Sequence, residues 1–276
     1  MENRAGPSSF HAKVMTFNLR RRKASDGANT WTARRDAARA VIERHQPDLI
    51  GTQEGLADQI GYLEESLPEY DVVGEARFGG RRDEFNAILF KKDRFRLLDT
   101  GNFWLSDTPH EPASRTWGNL VPRMATWARL QDKDSGGTLF HLNTHLDHLV
   151  PSARAKGARL IASRIPAREP TVLTGDFNCI QRGGTYRFLT GARGPGLLDS
   201  RWACASPVPR WNATFHNFTG RGLYRIDYVL GRHVLGFASH RVARDRFDGR
   251  FPSDHFPVVT ELRVPAEASR LLGASA

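Results

Sequence analysis

The strongest constraint in this sequence is where its polar residues fall within its apolar segments. MTFNL carries Asn18, LIGTQE ends in Glu54, and DEFNAILF begins beside Glu84. LFHLNTHLDH ends in His145, Asp147 and His148, and VLTGDFN ends in Asp176 and Asn178. RIDYVL holds Asp227, and the last apolar segment, PVVTEL, follows SDHF with Asp254 and His255. Each segment is apolar and β-branched enough to be a buried strand. Gly, Asp and Asn after a strand would, taken alone, indicate a turn. A turn does not explain six carboxylates, two carboxamides and three histidines in the same setting. A buried carboxylate without a partner costs several kcal/mol, so these side chains ask for a shared partner. A divalent cation is the natural one, and oxygen ligands without thiolates select Mg²⁺ or Mn²⁺ over Zn²⁺.

The segments between these strands set the architecture. WTARRDAARAVIERH (31–45) places Trp31, Ala38, Val41 and Ile42 at helical spacing, with Thr30 as N-cap and Gln46-Pro47 as terminator. A second amphipathic helix covers 56–67, and a third covers 151–165. From 70 to 145 the strand-like runs follow one another with Gly, Asp and Pro between them, which reads as antiparallel sheet. Helix–strand alternation at both ends with strands in the middle gives one domain over 11–265, an α/β fold in which helices flank two packed sheets. Residues 1–10 read as a disordered leader and 266–276 as a flexible tail.

Composition narrows the partners. The chain has 276 residues and a formal net charge of +10, which favours polyanions. The excess is mostly Arg, which weakens that argument, and the one dense basic run, Arg20-Arg21-Arg22-Lys23, reads as a solvated loop. Two cysteines, Cys179 and Cys204, suit neither a zinc framework nor a disulfide scaffold and are expected to be reduced thiols. No signal-peptide h-region and no membrane-length apolar run is present. The expectation is a cytoplasmic, monomeric protein.

The segments TFNLR, TQE, NTHLDH, LTGDFN, RIDYVL and PSDHFPV, in this order over residues 13 to about 264, resemble the endonuclease/exonuclease/phosphatase family, whose members include DNase I. The resemblance implies a four-layer α/β/β/α sandwich and hydrolysis of a phosphoester by in-line attack of water, with Mg²⁺ or Mn²⁺ as cofactor. By the same resemblance Glu54 is the principal metal ligand, Asn18 lies beside it as ligand or positioner, and Asp254 completes the metal site. Asp176 orients or deprotonates the water, and Asn178 donates its amide to the phosphate, which a carboxylate cannot do. His255 contacts the phosphoryl oxygen or the water, its tautomer fixed by Asp227. His145 is a second catalytic histidine, paired with Glu84. Arg123 reaches the phosphate, while Trp104 and His216 are candidate substrate contacts.

Substrate choice resides in loops that this resemblance does not specify. With the net charge, nucleic acid (DNA or RNA) is the first expectation, making the chain a nuclease or phosphodiesterase. A phosphatase or phosphodiesterase acting on a small metabolite such as a sugar, inositol or nucleotide phosphate is the alternative. A catalytically inactive phosphate- or nucleic-acid-binding module is a third reading, but its members should have lost a ligand or a histidine, and all are present here.

Overall fold

The computed structural model describes residues 9–266. One six-stranded sheet has the order β11-β12-β1-β2-β4-β3, built from Gly236–Val242, Val258–Pro265, Ser9–Asn18, Leu49–Gln53, Ile88–Lys91 and Tyr70–Val73. The second has the order β5-β6-β7-β8-β10-β9, built from Phe95–Trp104, Met124–Asp132, Thr138–His145, Thr171–Asp176, Asp227–Arg232 and Leu198–Asp199. Helices α1 (Trp31–His45) and α2 (Ala57–Ser66) cover the first sheet, and α3 (Pro151–Arg164) and α4 (Gly184–Thr190) the second. This is the expected four-layer sandwich.

Connectivity explains the pairing. Helix α1 carries the chain from β1 to its parallel neighbour β2, and α3 does the same between β7 and β8, since parallel strands need a crossover. The strands from 70 to 145 pair antiparallel, as their spacing indicates. Helix α1 ends at His45, where Gln46 turns left-handed and its N–H bonds the Ile42 carbonyl at 2.8 Å. Thr30 precedes α1 but its hydroxyl caps nothing. The expected leader over 1–10 does not extend to Ser9 and Phe10, which pair with Pro265 and Val264, and Phe10 is buried against Phe95. Residues 1–8 and 267–276 lie outside the described residues.

Side-chain parity along the strands places the site. On β1, Met15 and Phe17 point to the helical layer, while Ala12 and Val14 enter the core between the sheets. Thr16 and Asn18 continue that second row, because alternate residues share a face. The same progression recurs as Leu49, Gly51 and Gln53 on β2, as Leu139, His141, Asn143 and His145 on β7, and as Val172, Thr174 and Asp176 on β8. Between the sheets, therefore, the strands pass from apolar to polar towards one end, closing in Asn18 on β1, Gln53 on β2, His145 on β7 and Asp176 on β8. The polar middle is bonded across the sandwich. Gln53 Nε2 donates to Asn143 Oδ1 at 2.7 Å, Asn143 Nδ2 donates to the Thr52 and Ala87 carbonyls, and Thr174 Oγ1 donates to Asn143 Oδ1 at 3.0 Å. Gly51 is required there, since a Cβ would stand 2.1 Å from Thr174 Oγ1. Among the described residues no helix is long and apolar enough to cross a membrane, and both cysteines are free thiols.

Candidate active site

The ionisable ends of the strands converge. His145 pairs with Asp176 across β7 and β8, and Asp176 with Asp227 across β8 and β10, so register alone sets three of them in one row. Gly175 permits this row, because a Cβ there would meet the Thr144 carbonyl at 2.2 Å. From the other sheet come Asn18, at the end of β1, and Glu54, one residue beyond β2 with φ +62. A non-glycine residue in that region is uncommon and sits where backbone strain often accompanies function. Asn178 (φ +47) turns the chain back in the same way, as Asn tolerates.

Asp227 Oδ2 accepts from His255 Nδ1 at 2.8 Å, which leaves His255 Nε2 3.9 Å from Asp176 Oδ2. His145 Nε2 is 3.6 Å from the same oxygen. Asn18 donates its amide to Glu54 at 3.0 Å and to Asp176 at 3.1 Å, and its carbonyl accepts from Arg20 N–H. Asn18 thus offers nitrogen, not oxygen, to the two carboxylates. Asp254 lines the same cavity but turns to Arg20 at 3.5 Å.

Electrostatics separate the titrating groups. Burial, with the nearby Asp227 charge, pushes Asp176 up to about 7. Burial opposes the charge on His255, yet Asp227 and the neighbouring carboxylates hold it well above the usual histidine range. Burial, reinforced by Arg123 and Arg77, holds His145 far down and neutral. Burial would raise Glu54 too, but the Asn18 amide, His255 and the Arg21 N–H keep it below the usual range and ionised. Glu54, His145 and Asp176 each offer a ligand atom within 4.8 Å of the others, and so do Asp176, Asp227 and His255. Two carboxylates and a neutral imidazole among buried oxygens fit a hard divalent cation.

Several expected contacts differ. Glu84 does not pair with His145. Its carboxylate is taken by Arg21 at 2.8 Å and Arg77 at 2.7 Å, and His145 Nδ1 has no partner. Both amide hydrogens of Asn178 are used, one on the Leu146 carbonyl and one on His145 Nε2. Trp104 is buried and donates Nε1 to the Arg77 carbonyl at 2.7 Å, so it supports an arginine rather than a substrate. His216 is fully buried, stacked on Phe256 at 3.8 Å, and its backbone N–H holds the Asp254 carbonyl. Neither lines the cavity. Arg123 does, buried and donating to His148 at 2.8 Å. Arg20 and Arg21 are half-buried members of the site, not part of a solvated loop.

Other contributors carry no motif. Arg77 is buried in the cavity wall, and nothing local in its sequence marks it. Arg34 is buried and donates to four backbone carbonyls: Leu19, Arg20, Asn29 and Pro252. Its signal was available, since position 34 shares the apolar face of α1 with Trp31, Ala38 and Val41. The cavity has a volume of ≈ 730 Å³, and beside its charged wall it is lined by Ile180, Phe215, Tyr224 and Ile226.

A double-sheet sandwich with these carboxylates, histidines and arginines at one end defines a phosphoesterase. The chain belongs to the endonuclease/exonuclease/phosphatase family, whose model matches residues 15–255; its members are hydrolytic and depend on a divalent metal. An endonuclease/exonuclease/phosphatase family protein from Bacteroides thetaiotaomicron is 32% identical, with a TM-score of 0.87 over 94% of this chain and 99% of that one. A mannosyl-6-phosphatase from Bacteroides thetaiotaomicron VPI-5482 is 32% identical, with a TM-score of 0.84 over 91% and 99% of the two chains. The human Nocturnin catalytic domain, 20% identical with a TM-score of 0.71 over 91% and 94%, shares the fold. No curated protein sequence matches the chain.

Proposed function

We propose that the chain hydrolyses a phosphomonoester borne on a small ring-containing molecule, a sugar phosphate first. One observation carries this: five arginines, Arg20, Arg21, Arg77, Arg123 and Arg154, line one cavity that also has an apolar wall. A terminal phosphate carries more charge than a diester, and guanidinium groups bind it bidentately. The apolar wall suits the face of a single ring. The similarity to a mannosyl-6-phosphatase supports the same choice. Net charge alone ranks nucleic acid first; the arginine-rich cavity with its apolar wall supports ranking the small monoester ahead of it.

The residues divide the work as follows. Glu54, ionised, would anchor the cation with His145 and Asp176 within reach as further donors; the bound ion would supply charge neutralisation at the phosphoryl oxygens. Asp176, with its affinity for protons tuned near neutrality, takes the proton of the attacking water. His255, held protonated by Asp227, donates Nε2–H to a phosphoryl oxygen as negative charge develops. The arginines orient the phosphate, and Asn18 keeps Glu54 and Asp176 at a fixed separation.

The test is turnover of p-nitrophenyl phosphate against bis-p-nitrophenyl phosphate, with Mg²⁺, Mn²⁺ and EDTA, followed by mannose 6-phosphate, a mononucleotide and single- and double-stranded DNA. The expected result is metal-dependent hydrolysis of monoesters ahead of diesters. Faster cleavage of DNA than of any small monoester would return the nuclease reading, and no metal-dependent turnover would leave a binding module.

A further inference from the structure

The catalytic cavity does not close at its α3 side. Arg154, Cys179 and Gly183 line it and also line a second cleft between α3 and α4, which continues to Arg159 and Phe188. The sequence around this cleft is one-sided in charge. PSARAKGARLIASR (151–164) and IQRGGTYRFLTGARG (180–194) contain Arg154, Lys156, Arg159, Arg164, Arg182, Arg187 and Arg193 and no Asp or Glu. Among the described residues none of these seven lies within 4.0 Å of a carboxylate. All but Arg154 are exposed. Arg154 is half-buried and fixed by donating to the Asp147 carbonyl at 2.7 Å, and Arg159 rests on the Phe188 ring. Some basic side chains elsewhere do meet acids: Arg129 bonds Glu169, Arg44 bonds Asp245, and Arg225 bonds Asp199.

Like charges gathered without counter-charges repel and weaken the elements that carry them. Of this set Arg154 lines both the cavity where a phosphate is expected and the cleft, Arg159 lines the cleft about 7.5 Å further along α3 at 1.5 Å per residue, and Arg182 directly precedes Gly183, which lines both. We propose that the α3/α4 cleft is a second anion subsite, which holds a further phosphate covalently attached to the same substrate. It rests on the phosphoesterase reading and sharpens it: preferred substrates carry a second phosphate beyond the one removed. That phosphate can sit on the same ring or on the next unit of a phosphodiester chain, and the two sources separate experimentally.

The experiment compares kcat/KM, or inhibition of p-nitrophenyl phosphate turnover, for two pairs of probes. One pair is mannose 6-phosphate and mannose 1,6-bisphosphate; the other is dTMP and a 5′-phosphorylated dT tetranucleotide. Each is measured with the wild type and with Arg159→Ala/Arg182→Ala. In the wild type the second phosphate should improve binding at least ~10-fold in one pair, as charge-assisted arginine contacts allow. The double variant should lose that gain while its p-nitrophenyl phosphate kinetics stay within about twofold of the wild type. If the tetranucleotide is the preferred source, the salt dependence of its binding should fall by about 1.4 in logarithmic slope, about 0.7 for each arginine removed. A gain in the first pair assigns the ring bisphosphate, and a gain in the second assigns the chain. Equal binding within both pairs, or a gain that survives in the double variant, overturns the proposal. Loss of p-nitrophenyl phosphate turnover in the wild type would instead strike the phosphoesterase reading itself.

Discussion

Replacing Arg34 by Met should damage the protein far from any motif. The side chain is 1% exposed. Burial lowers its proton affinity, to a pKa of about 10, so at neutral pH it is still a cation. Nη1 donates to the Leu19 carbonyl at 2.7 Å and to Pro252 at 2.9 Å, Nη2 to Arg20 at 2.6 Å, and Nε to Asn29 at 3.1 Å. Met fills similar volume, so no cavity enters the comparison, though the guanidinium's contact over the Trp31 ring, 5.1 Å from its centroid, is lost as well. Arg20 retains a second donor in Gln59 Nε2 at 3.0 Å, and half-buried Asn29 can turn to water. The Leu19 and Pro252 carbonyls are buried and have no other donor. At about 1–3 kcal/mol per stranded carbonyl, offset by relief of the buried charge, the expected loss is about 3–4 kcal/mol. For a chain of this size that lowers Tm by roughly 10 °C. The two carbonyls belong to the segments that carry Asn18 and Asp254, so below the melting range kcat/KM should also fall, about tenfold or more. Arg34→Lys should recover little, since an ammonium cannot span four carbonyls in a plane. Thermal melts with steady-state phosphatase assays at 25 °C measure both effects. A loss below 1 kcal/mol in Arg34→Met, or full recovery with Lys, would refute the clamp.

Three further outcomes follow from the site and the core. Asp176→Asn should cost at least ~10²-fold in kcat, the usual size of a general-base contribution, with an unchanged melt; near-normal turnover would remove Asp176 from proton transfer. His255→Ala and Asp227→Ala should each reduce kcat and combine non-additively, as a hydrogen-bonded unit does, whereas multiplied losses would separate them. Stability should fall in acid. Burial holds His141 and His240 at about 3 in the folded chain, below the unfolded value of about 6.5, so protons favour the unfolded state below that value. The stability present above pH 6.5 is lost as pH falls towards 3, about 2 kcal/mol for the pair between pH 6 and pH 5, and urea midpoints that stay flat over that interval would contradict it.

Periodic elements were legible because local pattern decides them. WTARRDAARAVIERH is α1 to the residue, and MATWARLQD is β6. The strand ends that bear Glu54, Asp176, Asp227 and His255 were legible because an ionisable residue closing an apolar run is chemically expensive. In the region 180–224, α4 and β9 are not legible, because its glycines and arginines mask the short apolar face of Tyr186 and Leu189. Strand β11 went unread because GFASHRV lacks clean alternation; a register shift between Phe237 and Ser239 interrupts its pairing. Trp104 and His216 were misplaced for a different reason. An aromatic residue near a motif can face the cleft or prop up what does, and only long-range packing decides. Glu84 failed similarly: its arginine partners, Arg21 and Arg77, come from loops whose meeting no local pattern foretells.

The polar rungs between the sheets have a mechanical meaning. Two greasy sheets could shear past one another at small penalty, because oil-like contact has no preferred registration. Gln53, Asn143 and Thr174 act as a dowel: any slip of one residue strands donors in a dry interior. Because one slab carries Glu54 and the other Asp176, the dowel converts a soft sliding joint into a fixed gauge length between the two carboxylates. Engineering that greases this layer should yield a tougher fold with a blunter tool.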